Sequence, residues 1–103
     1  MLSIIILTKN EEDMIGTCLE SVKFADEIIV ADNGSIDKTL EVLYKFQSTN
    51  DKFQTNSKFK IIKFKEQDFA SLRNKAMEEA KGEWVLYVDA DERVLQSLRE
   101  ELD

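Results

Sequence analysis

Asp89 and Asp91 stand two positions apart, directly after the apolar run Trp84-Val85-Leu86-Tyr87-Val88. Side chains alternate along an extended strand, so in a continuation of that run the two carboxylates point to the same side. Such a pair suits a hard divalent cation, Mg2+ or Mn2+, which takes oxygen ligands and completes its shell with phosphate oxygens and water. A metal held there would offset the repulsion between a diphosphate and an acidic protein, and would stabilise a nucleoside diphosphate as a leaving group. A D-x-D triplet alone is a common pattern, and its bland reading is a solvated turn.

Two other polar clusters follow apolar runs. Thr8-Lys9-Asn10-Glu11 comes after Ile4 to Leu7, and Asp32-Asn33-Gly34-Ser35 comes after Glu27 to Ala31. In an open parallel sheet ligands bind beyond the carboxyl ends of the strands, so three strand ends delivering acids and small polar residues to one edge form a constellation. Asp32 either accepts a hydrogen bond from a base or ribose or caps its own turn, in which Gly34 supplies a positive backbone angle. Arg73, next to Asn74, is on residue chemistry alone an ordinary solvated cation.

The elements that must position these residues are legible from periodicity. Four apolar runs alternate with segments of helical spacing, which predicts an α/β fold, a Rossmann-like parallel sheet with flanking helices in the order β-α-β-α-β-α-β-α. Asn10 is expected to cap a first helix with Met14, Ile15, Cys18, Leu19 and Val22 on one face, and its opening acids Glu11, Glu12 and Asp13 suit the helix dipole. Ser35 is expected to cap a second helix with Ile36, Leu40 and Leu43 turned inward. Gln47 to Ser57 reads as a helix end and a surface loop, polar apart from Phe53.

The third strand, Phe59 to Phe64, carries Lys58, Lys60, Lys63 and Lys65, a pattern typical of a sheet edge. Asp68 caps a third helix with Phe69, Leu72, Ala76 and Ala80 on one side, and Lys81-Gly82 provides a basic last turn and a glycine stop. The fourth strand is expected to be covered on both faces, with Trp84 in the core. A last segment, Leu95 to Leu102, has helical spacing.

Composition removes several classes of chemistry. There is no histidine and one cysteine, Cys18, so a Ser-His-Asp or Cys-His site, a His-ligated zinc, a thiolate cluster and a disulfide are all excluded. Cys18 is read as a small core residue in a reducing, cytoplasmic setting. Fourteen Lys and Arg against 21 Asp and Glu give a net charge of -7, which disfavours nonspecific binding to nucleic acid or an anionic surface. An anionic ligand then needs a helix N-terminus, a placed cation or a metal. The start Leu2 to Leu7 lacks a basic flank and runs into polar residues, so it is neither a signal peptide nor a span.

Three segments together, SIIILTKNEE, CLESVKFADEIIVADNGSIDKT and ASLRNKAMEEAKGEWVLYVDADERV, resemble family 2 glycosyltransferases of the GT-A fold. The likeness covers nearly the whole chain and is similar in particular to bacterial enzymes that add sugars to lipopolysaccharide core. It implies a nucleotide-diphosphate sugar donor, a UDP-sugar foremost, a Mg2+ or Mn2+ ion, and inversion at the anomeric carbon. By position, the resemblance implies nucleotide contacts for Thr8, Asn10 and Glu11, base reading for Asp32, and a place near the base and phosphates for Arg73. It makes Asp91 the most direct metal ligand and turns Asp89 toward the ribose or sugar.

The chain departs from the family in having Asn33 and Ile36 in its second-strand turn. Members also continue well beyond the D-x-D, so the expectation is a single nucleotide-sugar-binding domain over residues 1–103, without the acceptor-binding half. No residue matches the family's catalytic base, and Glu92, Glu100, Glu101 and Asp103 are carboxylates without an assigned role. The acceptor, a glycan or lipid-linked glycan, is unidentified. The localisation expected is cytoplasmic, with a peripheral position at the inner face of the membrane, and exposed apolar surface would favour a homo-oligomer. The alternative function is a catalytically incomplete binding or assembly module. A phosphatase with an aspartyl nucleophile would place its D-x-D after the first strand, and a nucleotidyltransferase would place a Gly-rich, Arg-containing loop there; Thr8-Lys9-Asn10 fits neither.

Overall fold

The computed structural model describes residues 1–54, 58–65 and 68–89. Four strands, β1 (Leu2–Thr8), β2 (Glu27–Asp32), β3 (Phe59–Lys63) and β4 (Trp84–Asp89), alternate with helices α1 (Ile15–Val22), α2 (Thr39–Thr49) and α3 (Phe69–Glu79). All strand pairs are parallel, in the order β3-β2-β1-β4. The predicted α/β, Rossmann-like arrangement is therefore present, and the predicted last helix, Leu95 to Leu102, lies outside the described residues.

Each strand's alternation feeds two cores. Ile4 and Ile6 of β1, with Ile28 and Val30 of β2, face Ile15, Cys18 and Leu19 of α1 and Leu43 and Phe46 of α2. Ile5 and Leu7, with Ile29 and Ala31, face Leu72 and Ala76 of α3. Burial on both faces explains why β1 and β2 read as continuous apolar runs. At about 25 cal/mol per Å2 of apolar area removed from water, each fully buried Ile or Leu contributes roughly 1.5–3 kcal/mol before entropy is counted. Cys18 is fully buried in the first core, as expected.

β3 is the lysine-bearing edge that was anticipated. One of its lysines has a second role: Lys60 Nζ lies 3.9 Å from Glu27 and 3.5 Å from Glu79. Glu27, fully buried at the start of β2, accepts through Oε1 from Ser3 Oγ at 2.7 Å and from the Lys81 backbone N–H at 2.9 Å. A buried carboxylate that ties β1, β2 and the α3–β4 connection was not foreseen from sequence.

Several local expectations are corrected. α1 begins at Ile15, and its N-cap residue is Met14 rather than Asn10. The acids 11–13 form a turn before the helix, in which the Glu11 carbonyl accepts from Met14 and Ile15. Ser35 does not cap α2, which starts four residues later. Ile36 is 92% exposed, because it sits in the loop before the helix rather than on its inner face. Phe53 is buried in a 3-10 turn (Asp51–Phe53), its ring 5.7 Å from Phe46 and 5.9 Å from Phe59, so this part of the expected surface loop closes the core. Residues 55–57 of that loop lie outside the described residues.

Asp68 caps α3 as predicted, accepting from Ser71 N at 2.8 Å. The side chain of Phe69, expected on the inner side of α3, lies outside the described set. No basic residue stands in the last turn of α3, and Gly82 has no left-handed backbone. Gly82 is required by close approach instead: a Cβ there would stand 2.5 Å from Ser3 Oγ and 2.8 Å from Ser3 N. Trp84 is 72% exposed, not core. Residues 84, 86 and 88 share one face of β4, and cover falls from buried Val88 through half-buried Leu86 to exposed Trp84. α1 packs over the carboxyl end of the strand, where Cys18 Sγ lies 3.7 Å from the Asp89 carbonyl oxygen.

Candidate functional site

The carboxyl ends of β1, β2 and β4 meet through strand register. Thr8 is the partner of Asp32, and Leu7 is the partner of Asp89. The Asn33 N–H donates to the Thr8 carbonyl at 2.9 Å, holding the β2 exit against β1. Thr8 is buried, and its Oγ1 has no hydrogen-bond partner among the described residues. An orphaned buried hydroxyl costs about 1–3 kcal/mol. It stands beside Asp32 at the strand ends, and Glu27 Oε2, at the other end of β2, is likewise without a hydrogen-bond partner among the described residues.

Asp32 is buried, and both its carboxylate oxygens engage Ser35. Oδ2 accepts from the Ser35 backbone N–H at 3.0 Å, while Oδ1 accepts from the Ser35 hydroxyl. The turn-capping alternative for Asp32 is therefore realised, around Gly34 with φ 86°. Beside it, the Lys63 ammonium is raised from its ordinary value, first by the hydrogen bond and charge of Tyr44, with the charge of Asp32 adding to the shift after desolvation opposes it.

The β1–α1 and β2–α2 loops are joined to each other. Asn10, with φ 52°, donates its backbone N–H to Ser35 Oγ at 2.9 Å and accepts from the Ile36 N–H through Oδ1 at 2.8 Å. The Glu11 N–H donates to Thr39 Oγ1 at 2.9 Å, and the Glu12 N–H donates to Asp37 Oδ2 at 3.2 Å. Asp37 Oδ1 also accepts from the Thr39 N–H and hydroxyl just ahead of α2, whose N-cap residue is Lys38. Desolvation pushes the Asp37 carboxyl up, but these hydrogen bonds from Thr39 and Glu12 outweigh it and leave the group below its ordinary value. Asp37 and Thr39 were not singled out from sequence as supporting the site. Their signal was the spacing of small oxygen-bearing side chains through Asp32-Asn33-Gly34-Ser35-Ile36-Asp37-Lys38-Thr39, which favours Asx and ST turns.

Arg73 is exposed on α3, its guanidinium carbon 4.9 Å from the centroid of the Tyr87 ring. Tyr87 precedes Asp89 by two positions on β4, so Arg73 reaches the strand that carries the acid. The Asp89 side chain is exposed at the strand end, and Asp91, the other half of the expected pair, lies outside the described residues. Among the described residues there is no group of three His, Cys, Asp or Glu side chains that could form a cage of protein ligands for a metal. One exposed strand-end carboxylate fits a hard cation that keeps phosphate and water in its shell, and does not fit an all-protein Ca2+ or Zn2+ site.

The model described as glycosyl transferase family 2 matches residues 3–102. The chain belongs to this family. The putative glycosyltransferase EpsH of Bacillus subtilis (strain 168) is 30% identical over 94 residues, 87% of this chain and 26% of that protein. The lipopolysaccharide core biosynthesis glycosyltransferase LpsC of Rhizobium meliloti is 30% identical over 99 residues, 96% of this chain and 34% of that protein. Among solved structures, Staphylococcus aureus TarS residues 1–349 superposes with a TM-score of 0.78 at 27% identity, over 98% of this chain and 31% of that one. The mannosyltransferase PcManGT of Pyrobaculum calidifontis, in complex with GDP-Man and Mn2+, superposes with a TM-score of 0.77 at 25% identity, over 87% of this chain and 27% of that one. The chain thus spans about a quarter to a third of the lengths of these family members. No helix among the described residues is long and apolar enough to cross a membrane.

Proposed function

We propose that the carboxyl ends of β1, β2 and β4 bind a nucleotide-diphosphate sugar with a divalent cation, for transfer of the sugar to an acceptor hydroxyl with inversion. The observation that carries this reading is the buried Thr8 Oγ1, without a hydrogen-bond partner among the described residues, at the end of β1, which lies between the strands ending in Asp32 and Asp89. In the proposed complex Thr8 donates to or accepts from the nucleoside, and the Asp32 turn forms the wall on which the base and ribose rest. Arg73 faces the phosphates and supplies positive charge there. Asp89 and Asp91 would hold Mg2+ or Mn2+, which supplies neutralisation of the diphosphate leaving group when bound. The neighbouring mannosyltransferase complexed with GDP-Man and Mn2+ supports the ligand class. A UDP-sugar is the donor proposed here, on a cytoplasmic protein docking at the inner face of the membrane, and the name of the LpsC relative supports a glycan acceptor.

Melting of the chain with UDP- and GDP-sugars in the presence of Mn2+ tests the proposal. A ligand at a hundred times its Kd adds about 2.7 kcal/mol of stability. That is a rise of roughly 10 °C or more for a domain of this size. The gain should vanish in Asp91→Ala. An unchanged melt with every common nucleotide sugar would overturn the reading.

A further inference from the structure

Tyr87 has no role in the donor site as described above, yet it is the residue that joins Arg73 to β4. It pairs in register with Ile5 and packs, half-buried, on the α3 side of the sheet. Its ring lies under the Arg73 guanidinium at 4.9 Å, and its hydroxyl meets Met77 Sδ at 3.5 Å. Arg73 and Met77 are four residues apart on α3, one turn of the same helix face, so a single strand residue grips a full turn. Residues 87 and 89 have the same parity along β4, which puts the Tyr87 ring and the Asp89 carboxylate on the same side of the strand, one strand repeat apart.

Resting on the donor-binding reading, we propose that Tyr87 is a positioning residue: its ring holds the Arg73 guanidinium over β4, on the Asp89 side, where it meets the diphosphate. An arginine exposed on a helix loses rotamer freedom when a ligand orders it. A stacked arginine has already lost part of that freedom, so the ring improves affinity without touching the nucleotide.

Calorimetric titration of the full chain with UDP and with GDP, each with Mn2+, tests the proposal. For the nucleotide that the wild type binds, Tyr87→Leu should weaken binding roughly three- to fivefold, the scale of one exposed cation–π contact. Tyr87→Phe, which keeps the ring, should stay within about twofold by the same scale. In an Arg73→Ala background, Tyr87→Leu should make no further difference. Arg73→Lys, exposed on its helix and harmless to folding, keeps the charge but not the planar stack, and should bind as weakly as Tyr87→Leu. Wild-type affinity in Tyr87→Leu or in Arg73→Lys overturns the proposal, as does an additive loss in the double variant, which would mean that Tyr87 acts through packing alone. A wild type that binds neither nucleotide overturns the donor reading itself, and the role of Tyr87 with it.

Discussion

Asn10 and Ser35 are joined across two loops: the Asn10 backbone N–H donates to Ser35 Oγ at 2.9 Å, and Asn10 Oδ1 takes the N–H of the next residue, Ile36, at 2.8 Å. Asn10 adopts φ 52° to do so, a region that asparagine tolerates better than most residues. Asn10→Gly should cost about 1 kcal/mol, the acceptor alone. Asn10→Ala should cost about 2–3 kcal/mol, since alanine also resists the left-handed backbone. Urea melts of the two variants check this, and equal losses would show that the side-chain bond alone matters.

Thr8 separates binding from stability. Because its buried Oγ1 has no hydrogen-bond partner among the described residues, Thr8→Val should leave the ligand-free melt unchanged or raise it. Nucleotide binding should weaken about fivefold through the loss of one hydrogen bond. A large drop in the ligand-free melt would mean that the hydroxyl serves the fold instead.

Acid should loosen the loop junction. Asp37 and Asp68 both have folded carboxyls below the ordinary 3.8, held down against desolvation by Thr39 and Glu12 in one case and Ser71 in the other. A depressed folded pKa gives stability that is present above the unfolded value and is lost as pH falls through the folded one. The melting temperature should therefore fall as pH drops below about 4, the unfolded carboxylate range. Asp37→Asn should flatten that fall relative to wild type at equal salt; an identical pH profile would remove Asp37 from the account.

The amino end of the sheet should be intolerant of small changes. Gly82→Ala places a methyl 2.8 Å from Ser3 N and 2.9 Å from the Met1 carbonyl, both backbone atoms that cannot swing away. A loss of about 1–3 kcal/mol is expected from overpacking. Glu27→Leu strands the Lys81 N–H and removes the acceptor of the Ser3 hydroxyl, which keeps only the bond it accepts from Gly82 N–H, and should cost about 3 kcal/mol. Glu27→Gln keeps the oxygen that receives both bonds and should cost roughly 1 kcal/mol. Denaturant midpoints distinguish the three variants.

The strands, their order along the chain and the inward faces of α1 and α3 were legible because apolar spacing reports burial directly. Asp68 announced its cap, and the lysines of β3 announced an edge. Ile36 and Trp84 misled for one shared reason. Hydrophobicity marks residues that can be buried, while burial also requires an opposing element: α2 starts after Ile36, and α1 covers β4 only toward its carboxyl end.

By itself the sequence determined an acidic, histidine-free α/β chain with polar clusters after three of its strands, and three segments that place it in its family. Tertiary structure alone decided that Thr8, Asp32 and Asp89 are neighbours, because strand register is a property of pairing between segments far apart in the chain. It also decided which polar groups are already satisfied. Asp32 is engaged by Ser35, Asp37 by Thr39 and Glu12, and Glu27 Oε1 by Ser3 and Lys81, whereas Thr8 Oγ1 and Glu27 Oε2 have no hydrogen-bond partner among the described residues. No spacing rule can show this, since a hydrogen bond depends on where two groups come to rest in space.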